Sequence, residues 1–139
     1  MVITKQITLQ TRGNGDIVDI TDEVAEAVAA SEITSGTVTV FIAGSTAGVT
    51  TVEYEPGLKT DLQDLWERIA PSDIEYQHNL RWGDGNGHSH VRASLLGASL
   101  TVPFENKSLI LGTWQQIIVV DFDNRSRSRE VILQIMGDN

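Results

Sequence analysis

The sequence predicts an α+β fold: one compact domain with a largely antiparallel sheet or sandwich, two longer helices and one short helix. Short segments rich in β-branched residues occupy both ends of the chain, and the helical patterns lie between them. The helices are grouped and do not alternate strictly with strands, which favours α+β over a parallel α/β architecture. The chain has no repeat, low-complexity run or linker. We therefore expect residues 1–139 to form a single domain.

The N-terminal segment is predicted to be a β-hairpin over residues 2–20. Residues 2–9 mix β-branched and polar side chains in rough alternation, which is typical of a strand. Gly13-Asn14-Gly15-Asp16 follows as a turn, because glycine tolerates positive φ. Residues 16–20 then return as a second strand.

Two longer helices are predicted in the first half of the chain. Thr21 has the hydroxyl of an N-cap, with acids in the first turn, and an apolar stripe continues to about residue 33. The second helix begins at Pro56-Gly57 and is stopped by Pro71. Between the helices we expect a central strand at 37–43, a small-residue loop at 44–48 and extended chain at 49–54.

The second half is predicted to be a loop, a short helix and then β structure. Residues 74–87 are rich in Gly, Asp and Asn, which indicates a long and functional loop. A short helix is expected at 88–96, with Gly97 as its C-terminal cap. Turns are expected at 105–107 and 123–124. The predicted strands are 99–104, 108–112, 113–122 and 130–136.

Composition excludes several classes of function. Nineteen acidic residues against ten basic ones give a net charge of −9, which disfavours binding to nucleic acid or to an anionic membrane surface. The chain has no cysteine, which excludes disulfides, thiol nucleophiles and thiolate metal sites. No run approaches the roughly 18 apolar residues of a membrane span, and no signal peptide is recognisable. The expected compartment is therefore the cytoplasm.

The three histidines, His78, His88 and His90, fall within thirteen residues. Neutral imidazole is a common metal ligand, and three imidazoles leave a coordination position open for water or substrate. Together with nearby oxygen donors, these imidazoles form a mixed nitrogen and oxygen ligand set, which suits zinc, manganese, magnesium or iron. The alternative is that these histidines cap helices and bond to backbone carbonyls, and spacing alone leaves both open. Nearby oxygen donors are Asp84, Asn86, Glu53 and Glu55.

Two loops are candidate anion sites. Residues 44–48 offer the hydroxyls of Ser45 and Thr46 and backbone N–H groups, although the loop lacks a P-loop lysine and is also compatible with a plain tight turn. In residues 79–87, three glycines permit close approach of a ligand, and Arg81 can bind a phosphate or carboxylate through two hydrogen bonds. We expect Trp82 to be buried there, and the alternative is a flexible surface loop.

The last third of the chain contains two further polar patterns. Gln115 and Gln116 interrupt an apolar run, so one of these glutamines is expected to point inward and to be hydrogen-bonded. Arg125, Arg127 and Arg129 alternate along the chain. This spacing favours a shared solvent-exposed face for the three arginines.

Taken together, these segments resemble the YjbQ family, whose members are described as secondary thiamine-phosphate synthases. The resemblance spans nearly the whole chain, and it implies an α+β fold, a homotrimer and a polar site with bound metal or anion near subunit boundaries. The segments that carry it are 44–50, Glu53, 76–79, 87–97, 99–103 and 111–115.

The resemblance also assigns residues. His78 matches the histidine of the family's Tyr-x-His segment, and His90 the histidine before its Ser-Leu-x-Gly helix. Glu53 matches the glutamate after the small-residue loop, and Gln115 the Trp-Gln glutamine. We expect Glu53, Arg81 and Gln115 to be catalytic and His78, His88 and His90 to bind a divalent metal ion. The expected cofactor- or ligand-binding residues are Ser45, Thr46, Asn79, Asp84 and Asn86.

One departure from the family concerns the histidines. Many members have a histidine where this chain has Ser45, and commonly another residue where it has His88. Our hypothesis is that His88 replaces the missing imidazole and restores three rings around one site.

The resemblance implies a transferase that joins two thiamine precursors and releases pyrophosphate. A metal-dependent hydrolase of a small metabolite is the alternative enzyme. The third hypothesis is a non-catalytic trimer that binds a small ligand. The expected partner is a small phosphorylated metabolite, with neither nucleic acid nor membrane.

Overall fold

A computed structural model describes the whole chain, Met1–Asn139, as two antiparallel sheets with helices packed beside them. None of the helices is both long and apolar enough to span a membrane. The helices are α1 (Thr21–Ala30), α2 (Pro56–Ile69), α3 (Gln77–Trp82) and α4 (Gly87–Leu96). The strands are β1 (Val2–Thr11), β2 (Asp16–Asp19), β3 (Ser35–Ala43), β4 (Ala47–Val52), β5 (Ser99–Glu105), β6 (Ser108–Leu109), β7 (Gln116–Asp121) and β8 (Arg127–Asp138).

The larger sheet has the strand order β1-β8-β3-β5-β6 and the smaller sheet has the order β2-β7-β4. Every strand pair is antiparallel. The predicted α+β class is therefore confirmed, and β3 is the central strand of the larger sheet, as its density of β-branched residues predicted.

Strand β7 separates two apolar layers, because successive side chains of a strand point to opposite faces. Ile117 and Val119 belong to the main core between the sheets, which α1 closes with Val24 and Val28. Ile118 and Val120 point the other way, into a smaller cluster with Phe122, Trp66 of α2 and Ala93 of α4. The smaller sheet thus lies between the larger sheet and the pair α2 and α4, which places α4 beside β4.

The predicted N-terminal hairpin is wrong. β1 pairs with β8 over its whole length, whereas β2 pairs with β7 in the other sheet. Three consecutive residues, Gly13, Asn14 and Gly15, have positive φ and redirect the chain between them. The amides of Asn14 and Gly15 donate to the carbonyls of Asp123 and Asp121, so the turn is fixed to the end of β7 instead of closing a hairpin.

The helix termini differ in detail from the sequence-based expectation. Thr21 does not cap α1: its hydroxyl donates to Asp19 at 2.6 Å and accepts from the Ile117 amide at 2.8 Å. α1 ends at Ala30 because Ser31 is extended, although Ile33 still reaches the core. α2 begins at Pro56 as predicted, with the Glu55 carboxylate accepting from two amides of its first turn.

The predicted loop at 74–87 contains the additional helix α3, and α4 begins one residue before the predicted start. β7 starts at Gln116 and not at residue 113, since residues 112–115 form a turn in which the Gln115 amide donates to the Gly112 carbonyl. β6 is only two residues long, and β8 is longer than predicted because it pairs with both β1 and β3.

Candidate functional site

A buried ion pair lies beneath the loop that joins β3 to β4. The Arg129 guanidinium donates from Nε and Nη2 to the two carboxylate oxygens of Asp121, at 2.7 and 2.9 Å. The Thr11 hydroxyl and the Asp123 amide also donate to Asp121. Burial alone would raise the pKa of Asp121, but the hydrogen bonds from Arg129, Thr11 and the Asp123 amide lower it. The carboxylate is therefore ionised and fully paired at neutral pH.

Asp123 connects this ion pair to the loop and to α4. Its carboxylate accepts from Thr46 Oγ1 at 3.0 Å, from Asn86 Nδ2 at 3.2 Å and from Arg127 Nε at 2.8 Å. Burial opposes ionisation, but these hydrogen bonds together with that of the Asn124 amide lower the pKa of Asp123 to about 2. The carboxylates of Asp121 and Asp123 and the guanidiniums of Arg127 and Arg129 thus form a network without net charge. This network holds the Thr46 side chain in place.

Gly44, the first residue of this loop, has no side chain for a structural reason. A Cβ at Gly44 would lie 2.6 Å from Nη1 of Arg129, so only glycine lets the guanidinium reach the loop. Thr46 points into the buried network, whereas Ser45 is exposed and lines a cavity of about 250 Å³ between the loop and α4. Ser94 of α4 lines the opposite side of this cavity.

A pair of histidines lies one helical turn before that cavity wall. Ser94 Oγ donates to the carbonyl of His90, which places the two residues on one face of α4. The His78 ring of α3 lies against the His90 ring, with 4.4 Å between centroids. Burial lowers the pKa of His90, and the neighbouring His78 lowers it further. These effects favour the neutral form of His90, in which one ring nitrogen has a lone pair that can bind a metal ion.

Four buried polar atoms at the junction of α3 and α4 lack hydrogen-bond partners: His78 Nδ1, Asn86 Oδ1, His88 Nδ1 and Ser89 Oγ. His78 Nδ1 is buried and lies 3.7 Å from an Asp84 carboxylate oxygen, which is beyond hydrogen-bonding distance. Asn86 Oδ1 is likewise buried and unpartnered, although its amide nitrogen is bonded to Asp123. The hydrogen-bonding capacity of these atoms is therefore not used by other groups of the chain.

His88 does not join the pair. It is two residues from His90 on α4, and side chains at that spacing point to different faces of a helix. His88 is 7% exposed and faces the Tyr76 ring, with 6.3 Å between centroids. The expectation of three converging imidazoles is therefore wrong for the single chain. No group of three or more His, Asp or Glu side chains is arranged to hold a metal ion.

The side chains of segment 79–87 lie in different surroundings and make different contacts. Asn79 Oδ1 accepts from the Gly87 amide at 2.9 Å, so this side chain connects α3 to α4. Arg81 is exposed and lies beside the Trp82 ring. Trp82 is itself 65% exposed, which contradicts the expectation that it is buried. Asp84 is also exposed, and its carbonyl accepts from the Asn124 side chain.

Glu53 and Gln115 lie at the far end of β4. Gln115 Nε2 donates to Thr51 Oγ1 at 3.0 Å, and Gln115 lines a second cavity of about 270 Å³. Glu53 follows β4 and is exposed. The six residues of β4 separate these two side chains from Ser45 by roughly 20 Å. The sequence-based candidates thus form two groups within one chain.

Two expectations about the polar patterns of the last third are wrong. Neither glutamine points into the core: Gln115 is exposed, and Gln116 is half-buried with its Oε1 accepting from the Tyr54 amide. Arg129 does not share a solvent-exposed face with Arg125, because its side chain is only 8% exposed and is paired with Asp121.

Sequence reasoning missed Asp121, Asp123 and Arg129 as parts of the site. The available signal was the Asp-Phe-Asp run at 121–123, which places two carboxylates directly after four consecutive apolar residues. Such acids are rarely buried unless paired, and the nearest basic residues are the alternating arginines.

A model of the family described as UPF0047 protein YjbQ-like matches residues 5–138. Curated UPF0047 proteins are similar over nearly their full lengths. The protein of Methanothermobacter thermautotrophicus is 37% identical over 98% of this chain and 93% of its own length. That of Archaeoglobus fulgidus is 37% identical over 94% of this chain and 99% of its own. YugU of Bacillus subtilis is 34% identical over 96% and 98%.

Solved structures agree with these similarities. A YbjQ-like protein of unknown function from Sulfolobus solfataricus superposes with a TM-score of 0.94 and 33% identity, covering 99% of both chains. A hypothetical protein from Aeropyrum pernix has a TM-score of 0.90 and 30% identity, covering 98% of this chain and 99% of its own. An uncharacterized conserved protein of the yjbq/upf0047 family from Clostridium acetobutylicum has a TM-score of 0.86 and 34% identity, over 95% and 99%.

Proposed function

Because the chain belongs to the YjbQ-like UPF0047 family, we propose that it binds a small phosphorylated metabolite with a divalent metal ion between loop 44–48 and α4. The observation that supports this proposal most is the His78–His90 pair, whose rings lie 4.4 Å apart, with His90 one helical turn before Ser94 in the cavity wall. This cavity is small, so the ligand group that enters it is of phosphate or short-chain size.

The donors at the junction of α3 and α4 fit a divalent ion in part. The neutral form of His90 is favoured, His78 Nδ1 is buried without a hydrogen bond, and Asn86 offers an unpartnered amide oxygen. Two imidazoles and one amide oxygen are donors that zinc, manganese, magnesium or iron accepts, but they do not complete a coordination shell, because no third His, Asp or Glu side chain is placed to join the two rings. The remaining ligands would come from phosphate oxygens or from a neighbouring subunit. When bound, the ion would supply positive charge to a phosphorylated leaving group.

The chain's own residues supply the rest of an anion site. Ser45 provides a hydroxyl donor on one wall of the cavity, whereas the Ser94 hydroxyl on the opposite wall already donates to the His90 carbonyl. Arg129 brings a guanidinium to the base of the loop and remains paired there with Asp121. Arg81 follows His78 by three residues on α3, so both side chains share one helix face. Since the Arg81 side chain is exposed and pairs with no carboxylate, it can close on a phosphate from solution.

The reaction that the family resemblance suggests is thiamine-phosphate synthesis. The ring nitrogen of a thiazole phosphate bonds to the methylene carbon of a pyrimidine methyl diphosphate. The carbon–oxygen bond to the diphosphate breaks at the same centre. Pyrophosphate leaves with the electron pair, and no proton is transferred. Catalysis therefore needs alignment of the two substrates and neutralisation of charge on the leaving group, which are the tasks of Arg81, Ser45 and the metal ion.

We further propose that the protein is a homotrimer whose subunits together complete the site. Glu53 and Gln115 are too far from the histidine pair to act with it in one chain, because β4 lies between them. Three apolar side chains, Trp114, Ile110 and Leu95, are each more than half exposed, and Ile110 lines the same cavity as Gln115. Exposed apolar side chains of this size are typical of an interface, and a neighbouring subunit there would bring Gln115 towards another chain's histidines.

The test is formation of thiamine phosphate from its two precursors, with a divalent metal ion, by the purified protein and by three variants. His90→Ala and Gln115→Ala are each expected to lower the rate at least tenfold. His88→Gln is the matched control and is expected to retain it, because His88 lies outside the pair. Mixed oligomers of His90→Ala and Gln115→Ala should regain activity, since some interfaces then contain both native residues.

Other outcomes separate the alternatives. Metal-dependent release of phosphate from a single substrate, lost in His90→Ala, would replace the transferase by a hydrolase. Tight binding of phosphorylated compounds without any turnover would leave a ligand-binding protein. A monomeric molar mass by light scattering would contradict the shared site.

A further inference from the structure

A cavity of about 320 Å³ lies away from the histidine pair, between the turn that follows β1 and helix α2. It shares no lining residue with the cavity of Ser45 and Ser94. Only Ile17 and Tyr54 contribute carbon-rich side chains to its wall, and the rest of the lining is polar, charged or glycine. A polar cavity of this size, at the lower end of the range for ligand sites, suits a small hydrophilic molecule.

Lys59 supplies a fixed positive charge on the α2 side of this cavity. Its Nζ lies 4.4 Å from the centre of the Tyr54 ring and 3.3 Å from the Tyr54 hydroxyl. That hydroxyl donates in turn to the Ile17 carbonyl at 3.3 Å. Lys59 has no carboxylate within 4 Å, even though the chain carries an excess of acids. The ammonium group is therefore held in place by an aromatic ring, and its charge is not neutralised by an ion pair.

Arg12 supplies the second positive charge, from the turn on the other side. Its side chain is 89% exposed and lies 3.6 Å from Asp16, a loose contact that an incoming anion can replace. The turn beneath it is rigid, because the Arg12 amide donates to the Asp16 carboxylate and the next turn residues are bonded to the end of β7. Gln63 of α2 also donates to the Gly15 carbonyl, so helix and turn are held at a fixed separation.

From this arrangement we infer that the cavity between Arg12 and Lys59 is a second binding site, which takes a small phosphate monoester. The two cations lie on opposite walls, and Asp16 is the only acid of the lining, so the local charge is positive in a chain of net charge −9. A guanidinium and an ammonium together match a dianionic phosphate, and charge-assisted hydrogen bonds of this kind are the strong ones. The Asn14 side chain remains for the polar part of the ligand.

The test is a titration of the full-length, isotope-labelled protein with sn-glycerol 3-phosphate, followed through backbone amide resonances at constant ionic strength in sodium chloride. The expected result is saturable shifts of Gly13, Asn14, Gly15 and Lys59. The double variant Arg12→Gln/Lys59→Gln should weaken the binding at least tenfold. The control double variant Arg68→Gln/Lys5→Gln removes the same charge outside the cavity and should bind as the unaltered protein does.

Three results would overturn the inference. The first is equal affinity of the two double variants, which would reduce the effect to net charge. The second is a shift of the amide resonances no larger than the shift that inorganic phosphate or chloride causes in the same residues. This result would mean that ion screening alone produces the shifts. The third is a response confined to residues 44–48 and lost in His90→Ala, which would assign the ligand to the site of the proposed function. Retained binding in His90→Ala supports the second site, whatever the outcome for the transferase.

Discussion

Replacing Arg129 by Met is predicted to be among the most destabilising single changes in this protein. Arg129 makes two hydrogen bonds to the Asp121 carboxylate and a third to Thr46, and its side chain is 8% exposed. Methionine fills part of the space but leaves Asp121 buried with only the Thr11 hydroxyl and one amide as donors. The free energy of unfolding therefore falls mainly because the Asp121 carboxylate stays buried without its counter-charge. The loss of packing contacts is a smaller part of the effect.

The magnitude follows from the burial of the pair. Removing one partner of a buried ion pair typically costs about 3–5 kcal/mol, out of a total stability of roughly 5–15 kcal/mol for a domain. For a chain of 139 residues, the entropy of unfolding converts about 4 kcal/mol into a fall in Tm of about 14 °C. Arg127→Met removes a guanidinium that is 34% exposed and leaves Asp123 with donors from Thr46 and Asn86, so its effect should be smaller than that of Arg129→Met.

The assay is thermal and urea unfolding of Arg129→Met, Asp121→Asn and the double variant, with Arg125→Gln as the exposed control. We expect the double variant to be less destabilised than the sum of the single ones, because removing both charges leaves no unpaired ion. Arg125→Gln should change the stability by less than about 0.5 kcal/mol. A loss below about 1 kcal/mol for Arg129→Met, or strict additivity in the cycle, would refute the reasoning.

The remaining predictions concern pH and the loop. Hydrogen bonding holds the pKa of Asp123 at about 2, below its usual 3.8. The contribution of the Asp123 carboxylate to stability is therefore complete above pH 3.8 and is lost as the pH falls towards 2. Acid unfolding followed by circular dichroism should show this loss, and Asp123→Asn should flatten the dependence of stability on pH. Because burial lowers the pKa of His90, the unfolded chain binds its proton more tightly and stability should fall as the pH drops below about 6.5; a His90→Gln variant that keeps the same slope would contradict this. Gly44→Ala should cost about 1–3 kcal/mol, because its Cβ would lie 2.6 Å from the Arg129 guanidinium, whereas Ser45→Ala at the exposed neighbour should unfold almost as the parent protein does.

Local signals in the sequence were enough for most elements. β3 was predicted from its run of β-branched residues, and α2 from Pro56 and the apolar face that follows it. The hairpin failed because strand pairing is decided by distant segments: the partner of β1 is β8, whose first residue lies more than a hundred positions away. No propensity within residues 2–20 contains that information.

The site was predictable only in part for the same reason. His78 and His90 were identified by their clustering, and the structure brings their rings together. His88 does not join them, because the orientation of a side chain depends on where its helix begins, and spacing along the sequence does not contain that information. The Asp121–Arg129 pair and its bond to Thr46 join three segments of the chain, so no single window of sequence contains the constellation.

The metal content of the purified protein tests the central proposal most directly. It should be measured by elemental analysis after incubation with zinc, manganese, iron or magnesium and removal of excess ion, beside His78→Ala/His90→Ala and the control His88→Gln. The proposal predicts close to one divalent ion per chain, retained in His88→Gln and absent from the double variant. No ion in any of the three proteins, or equal content in all of them, would contradict a metal site at the histidine pair.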